Sequence, residues 1–187
     1  YLKITVVSLS PKYQLRLTDV TFETVSSAPE THPACDTRDA QLRRIDEISV
    51  LTLRNCMQEV FEDGPKRDRR LWLGDLRLQA LVNNVTFKNH DLVRRCLYLF
   101  SGHRREDGMV SANIFTRPHV IADDTFLFDY SLFYVDILND YVLETQDVAT
   151  AKELWPIALR QIELALDRCD TDGLVTDSSD WWSFIDW

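Results

Sequence analysis

The chain has 187 residues, 45% of them hydrophobic and 27% charged, which places it among ordinary globular proteins and excludes a disordered one. Twenty-one Lys and Arg against 30 Asp and Glu leave a net charge of −9, which argues against nucleic-acid partners and anionic membranes. No apolar run approaches the roughly 18 to 20 residues of a membrane span, and no basic-then-apolar leader is present, so a soluble chain without a membrane partner is expected.

Residues 1–25 alternate as strands do: Leu2, Ile4 and Val6 share one face, then Leu15 and Leu17, then Val20 and Phe22, with a break at Ser10-Pro11. So small a ribbon cannot cover its own apolar face, so these strands are expected to end a preceding β-domain. The stretch SSAPETHPA carries two prolines and no periodicity, marking 26–35 as a linker.

From residue 36 the apolar period becomes helical. Asp36 or Thr37 can cap a helix reaching about Val60, with Leu42, Ile45, Ile48, Thr52, Cys56 and Val60 as its stripe. A second helix is expected from Asp75 (DLRLQALVNNVTF) and a third (HDLVRRCLYLF) behind Asn89 as its cap. After a long loop, 101–124, a helix from about Phe126 to Glu144 is apolar nearly all round, which predicts burial between layers. Its acids, Asp129, Asp136 and Asp140, either face solvent or line a polar cavity. Asp147 caps a last helix that Pro156 should bend or restart. Five helices in successive hairpins suggest part of a double-layered helical toroid, with further hairpins downstream.

Cys35, Cys56, Cys96 and Cys169 lie far apart without metal or disulfide spacing and read as reduced core residues; the compartment stays open, the cytoplasm being favoured over the periplasm or secretion. Asp170-Thr-Asp-Gly173 lacks the third spaced acid and closing Glu of a calcium loop and reads as a helix-ending turn. His32, His90, His103 and His119 have no ligand spacing, so neither a metal nor a cofactor is expected.

Chemistry concentrates in DGPKRDRRLWLGD, residues 63–75. Three carboxylates (Asp63, Asp68, Asp75), four cations (Lys66, Arg67, Arg69, Arg70) and Trp72 crowd into a loop opened by the Gly64-Pro65 turn. Glycoside hydrolysis needs a carboxylic acid to protonate the leaving oxygen, and neighbouring carboxylates can raise that acid's pKa. A Trp offers a flat apolar face to a sugar ring, and Arg and Asp can bind hydroxyls. The same residues could equally form a solvated salt-bridge loop over a buried Trp72.

This segment resembles the signature of family 78 of the glycoside hydrolases, the α-L-rhamnosidases, whose pattern runs D-x-P-x-R-E-x-x-x-W-x-x-D. Asp63, Pro65, Arg67, Trp72 and Asp75 match without a gap, and Asp68 stands where the family has its general acid, normally Glu. The likeness continues in DAQLRRIDEISVLTLRNCMQEVFED, LFYVDILNDYVLETQD and DTDGL, so it covers most of 36–187. The resemblance implies a mainly α fold, the first half of an (α/α)6 six-hairpin barrel preceded by β-sandwich domains. It implies hydrolysis of terminal α-L-rhamnosyl glycosides with inversion, so a carbohydrate partner. Asp68 would be the catalytic acid, Asp63, Arg67, Trp72 and Asp75 would bind substrate, and Asp186-Trp187 would lie near the bound sugar. The base, a Glu, would come from the barrel's second half. Two rivals stand beside this reading: a non-catalytic sugar binder that keeps the loop, and a helical-hairpin interaction module that uses none of it.

Overall fold

The computed structural model of the chain describes residues 2–30, 32–179 and 181–182. In chain order its elements are α1 (Ala40–Cys56), β1 (Leu71–Trp72), α2 (Leu73–Val85), α3 (His90–Gly102), β2 (Asn113–Phe115), β3 (Ile121–Ala122), α4 (Phe128–Thr145) and α5 (Val148–Leu166). This is the mainly α, hairpin-by-hairpin architecture expected for part of an (α/α)6 barrel. Among the described residues no helix is long and apolar enough to cross a membrane.

The connections alternate in length, and that alternation sets the architecture. α2 reaches α3 through residues 86–89, and α4 reaches α5 through 146–147, whereas long loops join α1 to α2, join α3 to α4 and follow α5. The long loops therefore gather at one end, where β1 from the first pairs antiparallel with β2 from the second, Leu71 opposite Ile114 and Trp72 opposite Asn113. β3 completes the small sheet by pairing with β2. α2 and α4 both start at this end and pack side by side, while α1, α3 and α5 run back towards it.

Local chemistry explains the short turns. Asn89 caps α3 as expected, its Oδ1 accepting from the Leu92 N–H at 3.1 Å, and the fully buried Asn83 accepts the Asn89 N–H at 3.0 Å. Asp147 caps α5, also as expected, accepting from the Thr150 N–H at 3.1 Å and the Thr150 hydroxyl at 2.6 Å. Gln146, with φ 57°, supplies the left-handed residue that ends α4.

α4 is buried between layers, as its all-round apolarity predicts. Tyr130, Tyr134, Ile137, Leu138 and Tyr141 are enclosed by α2, α3 and α5. Two of its acids turn to α2: Arg77 meets Asp140 at 2.6 Å and Asp136 at 3.7 Å. The third, Asp129, lines a hollow described below.

Other expectations are corrected. Residues 2–25 hold no strand and their apolar side chains are exposed, since no partner strand in the described chain offers them a ladder. α1 is capped by Asp39, not by Asp36 or Thr37, through bonds from Gln41 N–H at 2.8 Å and Leu42 N–H at 3.2 Å. It ends at Cys56, and Val60 is buried in the following turn beside Met57 and Phe61. Its buried residues are Val50, Leu53 and Cys56, whereas Leu42, Ile45 and Ile48 are exposed. α2 starts at Leu73 because β1 leads directly into it and the Leu73 N–H donates to the Ala112 carbonyl at 3.0 Å. α5 runs through Pro156 without a break, because Pro156 and Lys152, whose carbonyl loses its intrahelical donor, both face solvent. Cys56 and Cys96 are core residues, and burial pushes the Cys96 thiol up to about 12. Cys35 is exposed and Cys169 half-buried, because each lies outside the packed helices. Asp170 does form a turn, its carboxylate accepting from the Asp172 and Leu174 N–H groups, with Gly173 at φ 79°.

Hydrogen bonds from the Thr150 hydroxyl, the Thr150 N–H and the Tyr141 hydroxyl hold the Asp147 carboxyl down at about 2. A carboxyl depressed in the folded state contributes stability above its unfolded pKa, about 3.9, and loses it as pH falls through the folded value. The melting temperature is therefore expected to fall between about pH 4 and pH 2, and Asp147→Asn to lower it at neutral pH while flattening that fall. Circular-dichroism melts across that range check this.

Candidate active site

The end where the long loops meet carries the motif, and its first loop is organised by Asp63. The Asp63 side chain is 1% exposed, and its carboxylate accepts the Arg70 N–H at 3.0 Å and the Asp68 N–H at 3.3 Å. The Asp63 N–H in turn donates to the Arg70 carbonyl at 3.0 Å. Its carboxylate is thus spent inside the loop, bending 64–69 outwards, with the exposed Arg67 guanidinium 3.8 Å away. Arg69 stands at φ 56° and donates through Nε to the Pro65 carbonyl at 2.8 Å, closing the bend.

Arg70 anchors the loop to the sheet. Its guanidinium carbon lies 3.9 Å from the Phe115 ring centroid, and Nη1 is 3.6 Å from Asp123. Asp123 also accepts from the Asn113 side chain at 2.9 Å, the Asp124 N–H at 2.9 Å and the Thr125 hydroxyl at 3.3 Å. Burial raises the Asp123 carboxyl, but these hydrogen bonds outweigh it and hold the group below the usual carboxylate range.

On this frame Asp68 is exposed, and among the described residues no hydrogen bond or ion pair holds its carboxylate. It lines a cleft of about 440 Å³ together with Glu62, Arg69, Phe115, Thr116 and Arg117. Trp72 is half-buried, its ring edge-on to Tyr130 of α4 with centroids 6.3 Å apart. Asp75 lies in the first turn of α2 and lines a second hollow, about 310 Å³, with Gly74, Arg77, Asp129, Tyr130 and Phe133. The N-termini of α2 and α4 both lie beside this hollow, one carboxylate in the first turn of each.

The two hollows share one end of the molecule. The buried Cys56 thiol is pushed up by burial and then by the charges of Asp63, Glu62 and Asp75. The structure thus brings Asp63, Asp68, Trp72 and Asp75 to a common end while dividing their tasks: Asp63 faces inwards, Asp68 outwards, and Asp68 and Asp75 line different hollows. Trp72 is not enclosed by aliphatic core, as the salt-bridge alternative required. Asp186 and Trp187 lie outside the described residues. Tyr130 and Asp123 had no local signal, because only tertiary packing brings them to the motif, and Glu62, next to Asp63, was missed because spacing does not show which acid the fold leaves without a partner.

Residues 33–187 match the bacterial alpha-L-rhamnosidase 6 hairpin glycosidase domain. The chain belongs to this family. Among solved structures, this rhamnosidase-family chain is similar to a rhamnosidase from Klebsiella oxytoca with rhamnose bound: 73% identity, TM-score 0.82, over 87% of this chain and 32% of that one. It is also similar to the GH78 family rhamnosidase of Bacillus sp. GL1, at 28% identity and TM-score 0.72, over 86% of this chain and 16% of that one. The chain therefore spans about a third and about a sixth of these relatives. No curated protein matches it.

Gly74 lets α2 and α4 of this rhamnosidase-family domain approach each other. A Cβ there would lie 2.6 Å from Tyr130 Cζ and 2.7 Å from its hydroxyl oxygen. Tyr130 is buried and its ring packs on Trp72 at 6.3 Å and on Phe133 at 5.8 Å, so it cannot move aside without losing those contacts. Gly74→Ala is expected to destabilise the protein by about 1–3 kcal/mol, as overpacking does. Urea denaturation should show this as a lower midpoint with an unchanged slope.

Proposed function

We propose that the protein containing this chain hydrolyses terminal α-L-rhamnosyl residues from glycosides with inversion, and that residues 36–187 form the first part of its six-hairpin barrel. Residues 2–25 would end a preceding β-domain, since their exposed alternating side chains need partner strands. The observation that carries the reading is the exposed Asp68 carboxylate, without a partner among the described residues, at the acid position of a segment that resembles this family's signature. It is supported by the 73% identity to a rhamnosidase with rhamnose bound. Asp68 would protonate the departing glycosidic oxygen. Asp has one methylene less than Glu, so the loop must carry the carboxyl further out, and Asp63 supports that by holding the Asp68 and Arg70 N–H groups behind it. Arg67, Trp72 and Asp75 would contact the sugar, with Asp63 shaping the loop that offers them. Asp186 and Trp187 would lie beside the same sugar, and the base, a Glu, would come from a later hairpin. The substrate is a carbohydrate, and neither nucleic acid nor membrane enters the reaction.

Asp68→Asn in the full-length protein tests this. Asn keeps the shape and most hydrogen bonds but has no proton to give. The rate on a rhamnosyl disaccharide is expected to fall by about 100-fold or more, with rhamnose affinity by calorimetry preserved and a smaller loss on an activated aryl rhamnoside. Equal losses on both substrates would take the acid role from Asp68. Rhamnose binding without turnover by the unsubstituted protein would leave a sugar-binding relative instead.

A further inference from the structure

We propose that the cleft beside Asp68 is the leaving-group subsite, built for a sugar in preference to a flat aryl group, with Glu62 as its specificity-determining residue. This rests on the reading of Asp68 as general acid. An acid that protonates the leaving oxygen must stand within hydrogen-bond reach of it, so the space on whose wall it sits is where the leaving group enters. At about 440 Å³ the cleft lies within the range of small-ligand sites.

Its lining is chosen for hydroxyls. Asn55 and Thr116 bring an amide and an alcohol, Arg69 and Arg117 bring donors, and Glu62 brings an acceptor. With Asp68 counted as the proton donor, Arg69 and Arg117 face Glu62 in the cleft and Arg117 is also offset by Glu59, so no strong charge of one sign selects a charged leaving group. A flat aromatic group would instead need a free ring face to stack on. Among the described lining residues only Phe115 is aromatic, and the Arg70 guanidinium already covers one of its faces at 3.9 Å.

Glu62 stands out because the fold leaves it without a task. It is half-buried, yet no described residue makes a hydrogen bond or ion pair with its carboxylate. The neighbouring cations do not pair with it: Arg117 turns Nη2 to Glu59 at 3.4 Å and Arg69 turns Nε to the Pro65 carbonyl at 2.8 Å, which leaves their other N–H groups to the cleft. Burial therefore raises the Glu62 carboxyl in spite of the pull of Arg69 and Arg117. A carboxylate short of donors is relieved by two adjacent hydroxyls, one on each oxygen, as a sugar diol supplies them.

In the full-length enzyme, kcat/KM is measured on a rhamnosyl-glucose disaccharide and on nitrophenyl α-L-rhamnoside for the unsubstituted protein, Glu62→Ala, Glu62→Gln and Thr116→Val. Glu62→Ala is expected to lower the disaccharide-to-aryl ratio about tenfold, mostly through the disaccharide KM. Thr116→Val should move the ratio the same way by roughly threefold. Glu62→Gln, which keeps the shape, remains informative if the alanine variant fails to fold. An unchanged ratio in all folded variants overturns the subsite, and an equal loss on both substrates reassigns Glu62 to the rhamnosyl side. Absence of any rhamnoside turnover by the unsubstituted enzyme is a separate failure, that of the rhamnosidase reading itself.

Discussion

The architecture depends on the contact between two parallel helices, α2 and α4. Helices adjacent in sequence are most easily antiparallel, so packing two parallel ones requires a returning helix, α3, and two connections of opposite ends. The contact is close because Gly74 leaves room for the Tyr130 ring, and it is tied electrostatically because Arg77 holds Asp140 and Asp136. Once this pair is set, the short turns fall at one end and the long loops at the other. Loops free of a tight-turn constraint are where binding groups concentrate, and here the motif is in one of them.

Within that end, structure and chemistry are separated by which way a carboxylate faces. Asp63 is satisfied by backbone N–H groups and cannot also reach out without losing them. Asp123 is satisfied by Asn113, Thr125 and Arg70. Both hold the loop and sheet together at the cost of being unavailable. Among the described residues Asp68 and Glu62 have no such partners, which is what a group kept for a solute looks like. The division is visible only in three dimensions, since all four residues are equally acidic in the sequence.

What could be read beforehand follows the range of the interaction. The caps Asn89 and Asp147 were legible because a cap is a bond within three residues. The burial of α4 was legible because an apolar surface all round admits no other place for a helix. The strands β1 to β3 were not, since two or three residues are too few to show an alternation. The alternation in 2–25 was genuine but could not make a sheet without a second partner. The stripe of α1 was legible as apolar but not as largely uncovered, because period reports what a face is made of and says nothing about its neighbour. For the site, the motif residues were legible through their fixed spacing, while Tyr130 and Glu62 needed the loop's actual path.

The uncovered apolar surface has a consequence for handling. Leu42, Ile45, Ile48 and Leu51 on α1 and Leu78, Leu81, Val82 and Val85 on α2 are all exposed. Surface of this kind is satisfied by contact and not by water. In the isolated chain the principal counterweight is electrostatic, a net charge of −9 that keeps molecules apart at low ionic strength. Salt weakens that repulsion over a Debye length of about 10 Å at 0.1 M while leaving the apolar attraction intact. The chain on its own would therefore be best behaved in dilute buffer and would self-associate as salt is raised, the reverse of a protein held in aggregates by ion pairs.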